Sequence, residues 1–177
     1  MNSTIIRKKK VCKTCRVPSY IFSHGNCKEC STIVSTNKRV EKYQDELETE
    51  SIQNLISDLD VVMSQYIRNK YADNKGIVGC FTCSKKLPIA EMTNGHYISR
   101  SHYGLRFLPE NLRPQCYHCN GKHETDTEPF RQALERENKG ITEYLERLAR
   151  EVYKPTRDEL KELLIEYRYK LQAVKRK

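Results

Sequence analysis

All eight cysteines of this 177-residue chain fall into four Cys-x-x-Cys pairs: Cys12/Cys15, Cys27/Cys30, Cys80/Cys83 and Cys116/Cys119. Two such pairs brought together offer four thiolates in tetrahedral array, and zinc is the usual occupant of that set. An iron site or cluster is the rival occupant. Disulfide frameworks rarely space every cysteine two residues from the next. Eleven residues separate Cys15 from Cys27, and 32 separate Cys83 from Cys116. The spacing predicts two closed structural Zn²⁺ sites, one at Cys12, Cys15, Cys27 and Cys30, the other at Cys80, Cys83, Cys116 and Cys119.

The longer gap contains the stretch TNGHYISRSH, residues 93–102. His96 follows a glycine in a polar, basic run, away from any apolar helical stripe. A metal clamped at both ends of this segment forces it into a hairpin, with His96 on the hairpin and Asn111 on its return. Asn120 and His123 come just after the last cysteine, three residues apart and therefore on one helical face. Four polar side chains thus converge beside a zinc that is itself closed. A neutral imidazole can serve as a general base near neutral pH. An asparagine amide oxygen suits a hard divalent cation. The simpler reading of the same residues is a histidine bonded to its turn and asparagines that cap turns or a helix. His24, His102 and His118 read as loop or solvent-facing residues.

The ordered set Cys-x-x-Cys, Gly-His, Asn-Leu, Cys-x-x-Cys-Asn resembles a zinc-bearing HNH nuclease in its HNN form, the ββα-metal fold. The finer pattern GHY, LRF, EN and QCYHCN is preceded by a helix ending SQYIRNK and by an amino-terminal cysteine-pair ribbon. It resembles the phage lambda NinG (Rap) family of recombination endonucleases acting on branched DNA. The resemblance extends over nearly the whole chain and is weakest across 37–50. It implies His96 as the general base and Asn111 as the residue that holds the base-bearing loop. It implies Asn120 as a ligand of a catalytic Mg²⁺ or Mn²⁺, and His123 as a second ligand or a phosphate contact. Arg100, Arg106, Arg113 and Lys122 are the nearest cations for the scissile and flanking phosphates. In many HNH enzymes an aspartate or histidine just before the base also binds the metal. Here that position is Gly95, so another protein ligand or water must complete the shell.

These residues need a scaffold, and the rest of the chain supplies one. Hydrophobic residues make up 37% of the chain, tryptophan is absent and the net charge is +9. That charge suits a polyanion, with nucleic acid ahead of an anionic membrane surface. No apolar run reaches 18 residues and no secretory leader is seen, so the expectation is a soluble protein with no membrane partner. Four segments are expected: a zinc ribbon or knuckle over 1–36, a helical linker and packing helix over 37–72, an HNH-like core with its structural zinc over 73–128, and helices over 129–177. The stripe Ile52, Leu55, Ile56, Leu59, Met63, Tyr66 and Ile67 marks one buried helical face. Short strands are expected near 94–99 and 104–108, and a helix near the fourth cysteine pair. Thr127 is a candidate N-cap with Pro129 in the first turn, and Gly140 breaks the chain. The stripe from Ile141 to Val152 follows, then a capping box at TRDE, residues 156–159, which opens the last stripe, Leu160 to Val174. The fold class is α+β: a small zinc-stabilised ββα-metal core flanked by long amphipathic helices, with a separate amino-terminal zinc ribbon.

The expected function is a metal-dependent, structure-selective DNA endonuclease in phage-type recombination. The setting is the bacterial cytoplasm, during phage growth or from a resident prophage. Paired cuts across a four-way junction suggest a homodimer, and phage recombination proteins are the other expected partners. The alternative is a non-catalytic zinc-ribbon module that binds nucleic acid and assists recombination or transcription. A binder has no need of the His96, Asn111 and Asn120 set.

Overall fold

The structure, a computed structural model, describes residues 8–175, with 44–49 described in backbone only. The basic ends IIRKKK and VKRK therefore lie partly outside the described residues. The chain divides into two compact units at Glu50/Ser51. None of the described helices is long and apolar enough to cross a membrane.

In the first unit, β1 (Lys10–Val11) pairs antiparallel with β2 (Pro18–Ser19), and β3 (Ile21–Ser23) with β4 (Asn26–Cys27). Helix α1 (Lys28–Thr49) follows at once. It starts inside the second cysteine pair, well before the helical segment expected from residue 37. Among the described residues of this unit only Cys12, Asn26, Cys27 and Cys30 are buried. There is almost no apolar core here, so the energy of metal binding must serve as folding energy.

The second unit opens with α2 (Ile52–Lys70). Ser51 caps it, its side chain accepting from the Asn54 N–H at 3.1 Å. A cap at this point explains why the expected continuous helical segment is two helices. Leu55, Ile56, Leu59, Val62, Met63 and Ile67 bury one face of α2. That face packs along α7 (Arg157–Val174), which buries Leu160, Leu164, Tyr167 and Leu171. The Tyr66 and Tyr167 rings meet edge-on at 5.2 Å. The Thr156–Glu159 capping box opens α7 as expected. Ile52, Tyr144 and Val152, expected in apolar stripes, are exposed, and Val152 lies beyond the end of α6 (Ile141–Leu148).

Between these two helices lies the part that positions the site. β5 (Ile77–Gly79) and β6 (Lys86–Pro88) form a hairpin around the Cys80/Cys83 knuckle. β7 (Met92–His96) pairs antiparallel with β8 (Leu112–Cys116), from Met92 opposite Cys116 to His96 opposite Leu112. Helix α4 (Tyr117–Lys122) continues directly from β8. Arg68 in the last turn of α2 donates to the carbonyls of Ile89 (3.0 Å) and Met92 (3.2 Å), fixing the approach to β7.

The strand expected at 104–108 is not there. Tyr103–Arg106 is the short helix α3, and the return strand is Leu112–Cys116. Every residue of β8 is buried, so it shows no alternation, and Pro114 at its centre reads as a breaker. The Pro114 nitrogen has no proton to give, but its carbonyl accepts from the Phe81 N–H at 2.8 Å and ties the knuckle to the strand. α5 (Glu128–Glu137) starts after Thr127 as expected, yet the Thr127 side chain makes no cap bond. Asp126 does, accepting from the Glu128 N–H at 3.1 Å. Tyr97, Leu105, Phe130, Leu134, Ile141 and Leu145 form the apolar cluster that joins the loop after β7 to α5 and α6.

Candidate functional site

Each cysteine tetrad is assembled. The four Sγ atoms of Cys12, Cys15, Cys27 and Cys30 lie within 4.8 Å of one another, as do those of Cys80, Cys83, Cys116 and Cys119. All eight are free thiols. Four thiolates on one zinc, at Zn–S of about 2.3 Å, stand about 3.8 Å apart. Cys83 and Cys116 Sγ are 3.9 Å apart. The chemistry of the set also calls for a cation. The Cys27 backbone N–H, 3.3 Å from Cys12 Sγ, is foremost in bringing that thiol down to about 6, whereas contact with the Cys27 thiol and burial push Cys30 up to about 12. Sulfurs packed this closely ionise together only around a positive charge. Both sets fit structural zinc. His24 stays outside the first tetrad, its Nδ1 bonded to Ser23 Oγ at 2.6 Å.

His96 ends β7, at the far end of the β7–β8 pair from Cys116. Its Nε2–H donates to the Arg106 carbonyl at 3.1 Å. A carbonyl only accepts, so the proton resides on Nε2 and Nδ1 keeps the lone pair. Burial is the main cause that lowers the His96 pKa to about 4, with nearby Arg100 adding to it and the Arg106 carbonyl opposing. The ring is therefore neutral at physiological pH.

Asn111 is fully buried. Its Oδ1 accepts from the Ile98 N–H at 2.7 Å, and its Nδ2 donates to the carbonyls of Ile98 and Leu105, both at 3.0 Å. The Tyr97 N–H bonds the Asn111 carbonyl at 3.0 Å. One amide thus ties the residues after His96 to the helical turn that ends in Arg106, the residue whose carbonyl orients His96.

His123, at the C-cap of α4, reaches the same place from the other side. Its Nε2–H donates to the Tyr97 carbonyl at 2.9 Å, which leaves Nδ1 as the lone-pair nitrogen. That Nδ1 is buried and has no hydrogen-bond partner. The His123 ring also packs on Phe130 at 5.1 Å. Asn120 sits one turn earlier, half-buried, with no hydrogen bond to its amide among the described residues. His96, Asn111 and His123 are therefore all joined to the backbone of 96–98 or to the turn it faces. Asn120 and His123 each keep an open donor atom of the kind a divalent cation takes.

The four expected phosphate contacts divide. Arg100 and Lys122 are exposed. Arg106 is instead held inside the unit: Nε donates to Asp60 at 3.0 Å in a two-pronged pair, and Nη1 to the Arg100 carbonyl at 3.2 Å. Arg113 is buried and ion-paired with Glu137 at 2.7 Å, and its Nη1 donates to the Pro109 and Leu112 carbonyls. Neither guanidinium is free for a ligand, because each is bonded to backbone carbonyl oxygen and to a carboxylate instead. His102 precedes α3 and is exposed, as is His118 on α4.

One residue escapes sequence reasoning altogether. Gln115 is completely buried, its Nε2 donating to Thr82 Oγ1 at 2.6 Å while its Oε1 has no partner. Only its place next to Cys116 could have drawn attention to it.

The sequence model of the family described as Bacteriophage Lambda NinG protein matches residues 37–177. The chain belongs to the NinG family. No curated protein and no solved structure matches it. The NinG match takes in the second tetrad, His96, Asn111, Asn120 and His123, and leaves the first tetrad outside, so it is shorter than the near-complete resemblance expected. What the NinG chain carries beyond its family's matched span is the compact cysteine unit with its basic, aromatic face. Lys8, Lys9, Lys10 and Lys13 stand beside Tyr20 and Phe22, which are 57% and 70% exposed.

Proposed function

We propose that this protein is a metal-dependent DNA endonuclease of the HNH type, acting on branched intermediates of phage recombination. The observation that carries the reading is the way His96 is held. Its Nε2–H is fixed on the Arg106 carbonyl, and the Asn111 amide fixes that turn. An imidazole positioned in this manner presents Nδ1 as a base of set direction. The strand–strand–helix order of β7, β8 and α4 beside a cysteine tetrad supports a ββα-metal core.

In this reading His96 Nδ1 takes the proton from the water that attacks phosphorus. Asn111 positions the loop and does not touch substrate. Asn120 and His123 would hold a Mg²⁺ or Mn²⁺, which supplies charge stabilisation to the phosphorane and the departing 3′-oxygen. Arg100 and Lys122 hold flanking phosphates. The exposed lysines and rings of the first unit suit a strand whose bases are unstacked, as at a branch. Paired cuts at a four-way junction would take two copies of the chain. Family membership supports a setting in a phage-infected or prophage-bearing bacterium.

The test is cleavage of a labelled four-way junction and its linear duplex with Mg²⁺ or Mn²⁺, by wild type and His96→Ala. The expected result is cutting of the junction by wild type and loss of about 10²-fold or more in the variant with DNA binding retained. Binding without cutting by the zinc-loaded wild type would refute the endonuclease and leave the second reading, a zinc module that binds DNA. The charge and exposed aromatics of the first unit favour that reading.

A further inference from the structure

Buried hydrogen-bonding atoms almost always have a partner, and an unsatisfied one costs about 1–3 kcal/mol. Two such atoms, Gln115 Oε1 and His123 Nδ1, belong to residues that line one cavity with Thr82, Lys122 and Phe130. Both are acceptors. A hydrogen-bond donor would satisfy either one, but acceptors of nitrogen and amide-oxygen type on one cavity are also donors that a divalent cation takes. Asn94 Oδ1 is a third unpartnered acceptor, but Asn94 does not line this cavity and, one residue from Gly95 on the strand, points to the opposite face.

The position of the Gln115 oxygen is informative. A Cβ on Gly95 would lie 2.1 Å from Gln115 Oε1 and 2.7 Å from its Cδ. Gln115 therefore fills the space that a side chain on residue 95 would occupy, immediately before His96. It does so from the facing strand, since Gly95 pairs with Arg113 and Thr93 with Gln115. The amide is not free to turn away, because its Nε2 is held on Thr82 Oγ1 at 2.6 Å. The glycine and the glutamine form one device: the first clears a hole and the second delivers an oxygen into it.

We propose that Gln115 Oε1, together with His123 Nδ1, is a ligand of a divalent cation at the junction of β7, β8 and α4, supplying the ligand that Gly95 lacks. The inference rests on the endonuclease reading for its purpose but not for its test. The ligands are neutral, so affinity is modest and water or a DNA phosphate fills the remaining positions. An imidazole among them favours Mn²⁺ over Mg²⁺.

The experiment titrates Mn²⁺ into the zinc-loaded full chain and follows free Mn²⁺ by its electron paramagnetic resonance signal, with junction cleavage measured on the same samples. Wild type is expected to bind Mn²⁺ at one site beyond its zinc. Gln115→Leu should weaken that binding about tenfold or more with zinc content unchanged, and Gln115→Glu should tighten it through its charge. Gly95→Asp collides with Gln115 and should bind poorly. Gly95→Asp combined with Gln115→Ala should recover binding, because the carboxylate then takes the vacated place. Wild-type affinity in Gln115→Leu overturns the proposal. If Gln115→Leu does not fold, wild-type affinity in Gln115→Glu overturns it equally. Gln115-dependent Mn²⁺ binding in a protein that cuts no DNA refutes the endonuclease and supports the ligand. Cutting with Mn²⁺ affinity indifferent to residue 115 does the reverse.

Discussion

Replacing Asn111 by alanine should damage the fold far more than one surface amide would. The side chain is fully buried and joins Ile98 to Leu105 through three hydrogen bonds of 2.7, 3.0 and 3.0 Å. Truncation leaves the Ile98 N–H and carbonyl without partners, while the Leu105 carbonyl keeps the Leu108 N–H at 3.2 Å. An orphaned buried group costs about 1–3 kcal/mol, with the N–H at the upper end, and water entering the vacated space offsets part of it. The expected loss is about 2–4 kcal/mol, a large part of a typical domain's stability of about 5–15 kcal/mol. Urea unfolding of the zinc-loaded protein measures it. Asn111→Asp sharpens the test. Its Oδ1 still accepts from Ile98, but the second oxygen now faces two carbonyls and donates only when protonated. The folded-state pKa of the introduced carboxyl is then raised above its unfolded value. The variant's deficit relative to wild type is therefore largest at neutral pH and shrinks as pH falls through the folded pKa, by up to about 1.4 kcal/mol per pH unit. A loss under about 1 kcal/mol in Asn111→Ala, or an Asn111→Asp deficit that does not change between about pH 8 and 5, would refute the clamp.

Two further outcomes follow from the same geometry. His96 has a folded pKa of about 4, below its ordinary value, so the unfolded chain takes up its proton first on acidification. Its contribution is whole above about pH 6.5 and is lost as pH falls toward 4, amounting to about 2 kcal/mol by pH 5. Between pH 7.5 and 5 the wild type should lose that much more stability than His96→Gln, and equal losses would show that the ring is not held neutral by burial. Chelation of zinc should abolish protease resistance across residues 8–30, where the buried residues are three cysteines and Asn26, while circular dichroism keeps most of the helical signal of α2 and α7, whose buried faces carry no cysteine. Persistence of the first unit without metal would mean that its folding energy comes from elsewhere.

Local signals were readable in the chain, and those that needed a tertiary partner were not. Cys-x-x-Cys spacing, the 3.6-residue stripe of α2 and the Thr156–Glu159 capping box are each complete within a few residues, and each is found as expected. β8 could not be read because burial on both faces erases alternation and Pro114 mimics a break. Arg106 and Arg113 looked like phosphate ligands because charge alone does not name a partner. Asp60 lies 46 residues before Arg106, and Glu137 lies 24 after Arg113. Gln115 was invisible for a related reason: its meaning depends on the hole at Gly95 on the opposite strand.

The two tetrads are built alike, and the comparison explains why only one of them encloses the segment that carries His96 and Asn111. Each begins with a knuckle whose fourth residue after the first cysteine is left-handed, Arg16 at φ 62° and Ser84 at φ 60°. That conformation is costly for residues other than glycine, and the same backbone bonds compensate it in both knuckles. Arg16 and Ser84 donate to the carbonyls of Cys12 and Cys80, and Cys12 and Cys80 donate to Val17 and Lys85. Each tetrad ends with a pair that straddles a strand end and the first turn of a helix, Cys27/Cys30 and Cys116/Cys119. The difference is the length between pairs. Eleven residues allow a turn and a short ribbon. Thirty-two allow a five-residue strand ending in His96, a loop pinned by Asn111 and a return strand carrying Gln115. The zinc scaffold fixes both ends of that insertion, so a small unit with little apolar core can hold a neutral imidazole in one orientation.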